Sequence, residues 1–496
     1  MLEEFAIDNS VQIAVAIGLT ALVGLATWLT IRRERHDGSK KDVFLAGGGL
    51  NWVFVAGAIT LTNLSTDQLV GMNGNQMALL AWWEISGFVG LMILAFVFVP
   101  IYYRHNCTTV TELLEARYGG RSIRTLISAL FLFGNILIYL PAVLYSGGTF
   151  MQSLFGGSLP VLFYAALLAV IASAYTIFGG LRAVAVMDTY SGVGILGLAL
   201  LIVFLALAAV DFDIVSDVPS ERLTMIGAAD SPIPFHTLFT GMIFIQIFYW
   251  STNQNITQRA MAAPSVREAQ KGVLAAAIIR IAIIPPVVVI PGIVAYKLFG
   301  DVGDAAYGML IAQVLPPWLS GAFAAMVAAA VITTFSAVLN SSVALYSVDF
   351  HEPFIGAVKD HWKLAAGVSL LLMASSIALV TVYIDAARAD PGEFSIINLL
   401  QQLNGLLSMP ILSAFVAGLL FRNVAAAAAI AGVVWGVGLY GLFTFRLQPG
   451  GWVSLHYIDF MVITLVTSIL AALAVNRFAL GNRAEFVLSA KRVAAP

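Results

Sequence analysis

Asn63, Ser65, Thr66, Asp67, Gln68 and Gly71 fall together in TLTNLSTDQLVGMNGNQ, residues 60–76, inside a stretch otherwise apolar enough for a membrane interior. Polar groups in hydrocarbon are costly, so such a cluster points to function by default. A continuous lipid-facing helix would not tolerate it, whereas a helix that unwinds there and frees carbonyls for an ion would. An interfacial or re-entrant loop without a ligand is the alternative. A second stretch, IQIFYWSTNQNITQR at 245–259, sets Gln246, Tyr249, Trp250, Ser251, Thr252 and Asn253 along another apolar segment. A third, AAAVITTFSAVLNSS at 328–342, carries Thr333, Thr334 and Ser336, with Asn340, Ser341 and Ser342 a turn later. A single hydroxyl in a membrane helix ordinarily bonds the preceding turn's carbonyl. A cluster facing a carbonyl-rich unwound segment instead suits a hard cation, which takes oxygen ligands.

Four ionisable residues lie in or at the ends of the apolar stretches: Asp67, Glu84, Asp188 and Arg280. Glu84 and Asp188 stand at helix starts, where the dipole favours an acid. Arg280 lies further inside its helix and must pair, face water or snorkel to the interface. Enzyme signatures are missing from the sequence: the six histidines are scattered, and no HExxH, Walker loop or GxSxG elbow occurs. An integral-membrane enzyme is therefore not expected. Cys107 stands alone, which excludes an intramolecular disulfide and a multi-thiolate zinc site.

The elements that must position these residues follow from composition. Charged residues make up 10% and apolar residues 60% of the 496, with mean hydropathy +0.92 and net charge −2. So little charge cannot cover a water-facing surface but suits a lipid-facing one, and nothing basic argues for nucleic acid. About thirteen stretches are long and apolar enough to cross a bilayer: 11–31, 52–79, 84–103, 126–152, 159–178, 190–210, 236–254, 272–298, 319–348, 364–385, 395–420, 424–445 and 456–477. The acidic start, MLEEFAIDNS, lacks the basic region of a cleavable signal, so the first stretch is expected to remain as a span.

With the amino terminus outside, the inner loops hold lysines and arginines such as Arg32, Arg33, Arg35, Lys41, Arg124, Arg259 and Arg267, together with Lys491 and Arg492 in the tail. The outer loops hold only Arg222, Lys297, Arg388 and Arg446, a bias of about five to one in the sense of the positive-inside rule. The outer segment 211–234 is acidic, which fits. The expectation is one transmembrane domain over 1–496, in a bacterial inner membrane, with the amino end outside and the carboxy end cytoplasmic. Its parts are an extra helix at 11–31, five-helix halves at 52–210 and 236–420, two extra helices over 424–477 and a cytoplasmic tail at 478–496. Matching interruptions in spans two and seven suggest an inverted-repeat transporter with its site between the halves.

DVFLAGGGLNW (42–52), NLSTDQLVGMNG (63–74), FGGLRAVAVMD (178–188), NQNITQRAMAAPSVREAQKG (253–272) and VITTFSAVLNSS (331–342) give the chain a further reading. On these segments it resembles the sodium/solute symporter family, which includes sodium/glucose and sodium/proline cotransporters. NLSTDQLVGMNG and FYWSTNQ look like the sugar branch. The resemblance implies an all-α LeuT-like fold of ten core helices in a 5+5 inverted repeat, with three more. It implies a sodium site of the Leu61, Leu64 and Ala330 carbonyls with the Thr333 and Thr334 hydroxyls, where many relatives carry serines. A second sodium site of some members would use Asp188 and Ser336, but the next position, Ala337, lacks the hydroxyl.

For a sugar the resemblance points to Gln68, Glu84, Gln246, Tyr249, Trp250, Arg280 and Gln401, with Tyr249 stacking on the ring as an inner gate. Galactose-type relatives have asparagine in place of Gln246 and lysine in place of Arg280, so galactose need not be the solute. The implied activity is sodium-coupled import of a sugar or polyol by alternating access, with sodium, the solute and membrane lipid as partners. An acidic sugar meeting Arg280 is the alternative, followed by an amino acid, a carboxylate or another solute. A sensor that has lost transport is remote, because the short tail leaves no room for a signalling domain.

Overall fold

The structure, a computed structural model, describes residues 10–32, 40–64, 66–155, 159–389 and 396–487. The expected placements of Arg33, Arg35, Ser65, Lys491 and Arg492, and of the side chain of Asp67, lie outside the described residues. Ten helices among the described residues are long and apolar enough to cross a membrane. They include α1 (Ser10–Ile31) and, after the two short helices α2 (Trp52–Asn63) and α3 (Thr66–Gly74), α4 (Ala78–Arg104). The short α5 (Val110–Tyr118) leads to α6 (Arg121–Leu154) and α7 (Val161–Ala209). After α8 (Gly241–Ile247) and α9 (Gln254–Met261), the halves α10 (Val266–Ala282) and α11 (Ile284–Phe299) form one span. The rest are α12 (Pro317–Leu345), α13 (His361–Ala389), α14 (Ile396–Leu420), α15 (Ala426–Leu447) and α16 (Tyr457–Ala479).

The spans expected at 52–79 and 236–254 are thus pairs of short helices. Asn51 caps α2 by accepting from the N–H groups of Val53 and Phe54 at 3.0 and 3.1 Å, and the helix stops where Leu64 leaves helical geometry (φ −77°, ψ 64°). A helix end leaves its last carbonyls without intrahelical partners, so the break frees oxygens in the middle of the bundle. The second pair is joined by a π-type turn, Phe248–Thr252, and broken at extended Asn253 (φ −78°, ψ 124°). The Asn253 side chain then caps α9 by accepting from Asn255 N–H at 3.0 Å.

The stretches expected separately at 159–178 and 190–210 are two helices that meet at a kink at Gly180 and are taken together as α7. At 49 residues it would span ~74 Å if straight, more than twice a ~30 Å hydrocarbon core. Gly180 resolves this with φ 55° and ψ −160°, a backbone region open essentially to glycine. The bend packs against Trp362 of α13 and the Val43 carbonyl.

Nearly all of α12 is buried and α1 faces outward along most of its length, so the helix bearing Thr333 and Thr334 is the centre of the bundle. Large apolar side chains such as Phe178, Val193, Leu371, Val434 and Leu470 are exposed around the outside, a belt that only lipid would cover. At one end of the bundle, buried Asp349 accepts from Thr111 at 2.5 Å, from Thr109 at 3.2 Å and from Ser128, and pairs with Arg124 at 2.6 Å. Arg124 also bridges Glu115 and, at 3.4 Å, Glu112, which ties α5 and α6 to the end of α12. Part of the expected tail folds back: Glu485–Phe486 pairs antiparallel with Phe421–Arg422.

Beyond α11, Asp304 lies against Gly74 at the end of α3 and accepts from the Ile396 N–H at 3.3 Å. Burial raises its carboxyl from 3.8 to about 6, with the Ile396 hydrogen bond opposing. Between these values the folded protein holds a proton that the unfolded chain has released, so stability falls as pH rises from about 4 to about 6. Asp304→Asn is expected to flatten that slope in melting curves recorded in detergent across the same pH range.

Candidate functional site

The break between α2 and α3, the beginning of α4, the turn between α8 and α9, the end of α10 and the first turns of α14 converge on one polar cavity. About 90 Å³ of it is open to the centre of a water molecule, and one water needs only ~10–15 Å³ measured this way. Gln68, Gln246, Tyr249, Trp250, Arg280 and Gln401, six of the seven solute positions read from the sequence, line it. The seventh, Glu84, is fully buried behind the wall and forms an ion pair with Arg280.

Arg280 is 2% exposed, which rules out snorkelling to an interface. Its guanidinium lies 4.5 Å from the centre of the Trp250 ring, a cation–π distance, and donates to Gln68 Oε1 at 3.4 Å. The orientation of the Asn63 amide is assigned from its hydrogen-bond network. So oriented, it donates to Tyr249 Oη at 2.7 Å and accepts from Gln68 Nε2 at 2.9 Å and Arg280 Nη1 at 2.8 Å. Tyr249 and Trp250 meet edge to face at 5.2 Å. On the opposite wall Tyr139 donates to Asn404 Oδ1 at 2.6 Å, one turn from Gln401.

Sequence reading missed Tyr139, Asn404 and Asn255, which also line the cavity. Asn404 follows Gln401 by three residues and so shares its helix face, a signal that was available. Tyr139 is a lone polar tip in an apolar helix and gave none. Asn255 stands in the quoted NQN motif, accepts from Ser341 Oγ and connects α9 to α12.

Leu61, Leu64, Ala330, Thr333 and Thr334 are all buried, and Thr334 lines the cavity. The Thr334 hydroxyl points at the Thr62 carbonyl, 3.5 Å away at the freed end of α2. Thr333 makes the ordinary contact with the preceding turn, donating to the Ala330 carbonyl at 3.2 Å. Freed carbonyls and hydroxyls with no thiolate or imidazole among them are a donor set that fits a hard monovalent cation. Among the described residues no group of three or more His, Cys, Asp or Glu is arranged to hold a metal ion.

The two residues implied for a second ion site lie apart in their contacts. Ser336 donates to the Ala172 carbonyl at 2.8 Å, and Asp188 lies 3.7 Å from Arg259. Arg259 corrects the loop assignment made from sequence: it is fully buried and donates to the Asn255 carbonyl at 2.5 Å.

A bundle with two interrupted helices around a central polar cavity is an architecture that secondary transporters use. Residues 43–436 match the family model described as the sodium:solute symporter family, and the chain belongs to that family. It is 33% identical over 489 residues to the uncharacterized symporter YidK of Escherichia coli (strain K12), covering 94% of this chain and 84% of that one. It is 28% identical to the sodium/glucose cotransporter of Vibrio parahaemolyticus, covering 91% and 87%. In structure it is similar to a substrate-bound, outward-open Na+-coupled sialic acid symporter, with a TM-score of 0.80 at 18% identity over 96% of this chain and 99% of that one. The fold is LeuT-like. Sodium is the coupling ion, and the family and its members found here are transporters, not enzymes.

Proposed function

We propose that the chain imports a neutral sugar or polyol together with sodium by alternating access. The observation that carries this reading is the pairing of Arg280 with Glu84, which leaves the cavity's arginine already neutralised. An anionic solute would have to compete with that buried carboxylate. A hydroxylated ring would instead meet the carboxamides of Gln68, Gln401 and Asn404 and the face of Tyr249, groups that offer paired donors and acceptors. Similarity to a sodium/glucose cotransporter supports the same class.

Sodium would be held by the Leu61, Leu64 and Ala330 carbonyls and the Thr333 and Thr334 hydroxyls, drawing α2 toward α12 and shaping the cavity for the solute. A potential of 100 mV supplies about 2.3 kcal/mol per charge. A tenfold sodium gradient adds about 1.4, so one ion sustains a roughly 500-fold solute gradient. The bias of lysine and arginine toward alternate loops supports an amino terminus outside and a carboxy terminus in the cytoplasm of a bacterial inner membrane. Removing Arg259 from the loop count leaves the bias intact.

The test is solid-supported-membrane electrophysiology on proteoliposomes, with jumps of neutral hexoses, polyols and acidic sugars in sodium and then in choline. A sodium-dependent current for a neutral sugar or polyol is the expected result. Currents confined to acidic sugars would overturn the neutral-solute reading and make Arg280 the substrate's anchor. Silence across the panel would overturn the sugar class altogether.

A further inference from the structure

Gln246 has both amide hydrogens and one lone pair of its carbonyl engaged. Nε2 donates to the Trp83 carbonyl at 2.7 Å and to Ser86 Oγ at 2.9 Å, and Oε1 accepts from Trp250 Nε1 at 2.9 Å. Both amide hydrogens are used, and the carbonyl takes the one donor an indole possesses. The residue is 5% exposed. Trp250, one turn on and 1% exposed, turns its ring face to the Arg280 guanidinium. Arg280 pairs with Glu84, one residue after Trp83 on α4. The contacts therefore close a circuit: α4 to Gln246, Gln246 to Trp250, Trp250 to Arg280, Arg280 back to α4.

The packing of α4 is shaped to this circuit. A Cβ at Gly87 would lie 3.0 Å from Trp250 Nε1, and one at Gly90 would strike the Gln246 carbonyl and come within 2.7 Å of Trp250 Cδ1. Only glycine lets the indole–carboxamide pair lie this close to the helix.

We propose that Gln246 is a positioning residue rather than a solute ligand: it fixes the Trp250 indole, and through it the Arg280 guanidinium, against α4. This rests on the cavity being the solute site, as proposed above. A direct ligand would present the solute with a free amide hydrogen; Gln246 has none, and only the second lone pair of Oε1 is left to accept. A strut must act through the group it holds, and so must lose its effect when that group no longer offers the bond.

The test is a double-mutant cycle on Gln246→Leu and Trp250→Phe, read in two ways. In reconstituted transport of whichever solute gives a current, Gln246→Leu is expected to raise KM about tenfold, the worth of one good hydrogen bond, with sodium half-saturation unchanged. In the Trp250→Phe background the same change is expected to add little. Solute-free melting in detergent is expected to show the same non-additivity. Ser86→Ala, which removes one of Gln246's three bonds and lines no part of the cavity, is a milder third variant. It is expected to shift KM the same way, and only while Trp250 is present. Independent effects that multiply in both readouts would overturn the proposal. Failure of the cavity assignment is separable: solute-free melting would keep its coupling while solute KM ignored every variant in the circuit, and the strut would then be structural only, which also overturns the positioning role.

Discussion

Thr333→Ala combined with Thr334→Ala is expected to raise the sodium concentration needed for half-maximal transport at least a hundredfold, to the point where transport no longer responds to physiological sodium. Each hydroxyl oxygen bound to a charged partner contributes about 1.5–3 kcal/mol, and about 1.4 kcal/mol is tenfold, so losing two gives that scale. Thr334 faces the freed end of α2, and Thr333 lies on the same buried stretch of α12. If the two hydroxyls served only to bond their own helix, as Thr333 does to Ala330, their loss would leave sodium half-saturation where it was. Ser376→Ala is the control. That buried hydroxyl donates to the Leu372 carbonyl at 2.6 Å on α13, and removing it is expected to leave the sodium response alone. Undiminished sodium dependence in a folded double variant would remove these residues from the ion site.

Arg280→Ala is expected to destabilise the protein by about 3–5 kcal/mol, because it strands a fully buried carboxylate. The cation–π contact with Trp250 goes with it. Glu84→Leu with Arg280→Met removes both charges while keeping volume, and is expected to recover much of the loss, since well-packed apolar replacements of a buried pair are often neutral. Melting in detergent reads the difference between single and double variants. Equal melting of all three proteins would mean that Glu84 and Arg280 are not coupled. The double variant is still expected to lose solute transport, which separates the pair's role in folding from its role in the cavity.

Both helix breaks were legible in the sequence, because a run such as NLSTDQ inside apolar flanks leaves a helix no inexpensive place for its polar groups. Gln68 and Arg280 stood out for the same reason. What could not be read was which residue meets which across the bundle. Glu84 and Arg280 are 196 positions apart, and Asp188 and Arg259 belong to different halves of the chain. Local pattern carries no information about such partners. Arg259 looked like a loop cation because it follows a polar run, and only packing across the bundle, beside Asp188 of α7, buries it. Arg124 read equally well as a surface charge, although it closes on Asp349 more than two hundred residues later. The family resemblance pointed to the candidate solute residues as a set, but it did not distinguish Gln246, occupied with its neighbours, from Gln68, turned toward the arginine.

The pairing of Glu84 with Arg280, and of Asp188 with Arg259, also bears on how the carrier meets the electric field. Each couple has zero net charge, so a movement that carries its two members together takes no net fixed charge through the membrane field. With a neutral solute aboard, current per molecule carried becomes a direct count of sodium ions, and the reversal potential becomes a stoichiometer. An arginine left bare in the same cavity would have made the empty carrier a voltage sensor, slowed or hastened on its return by the very potential that drives the loaded one.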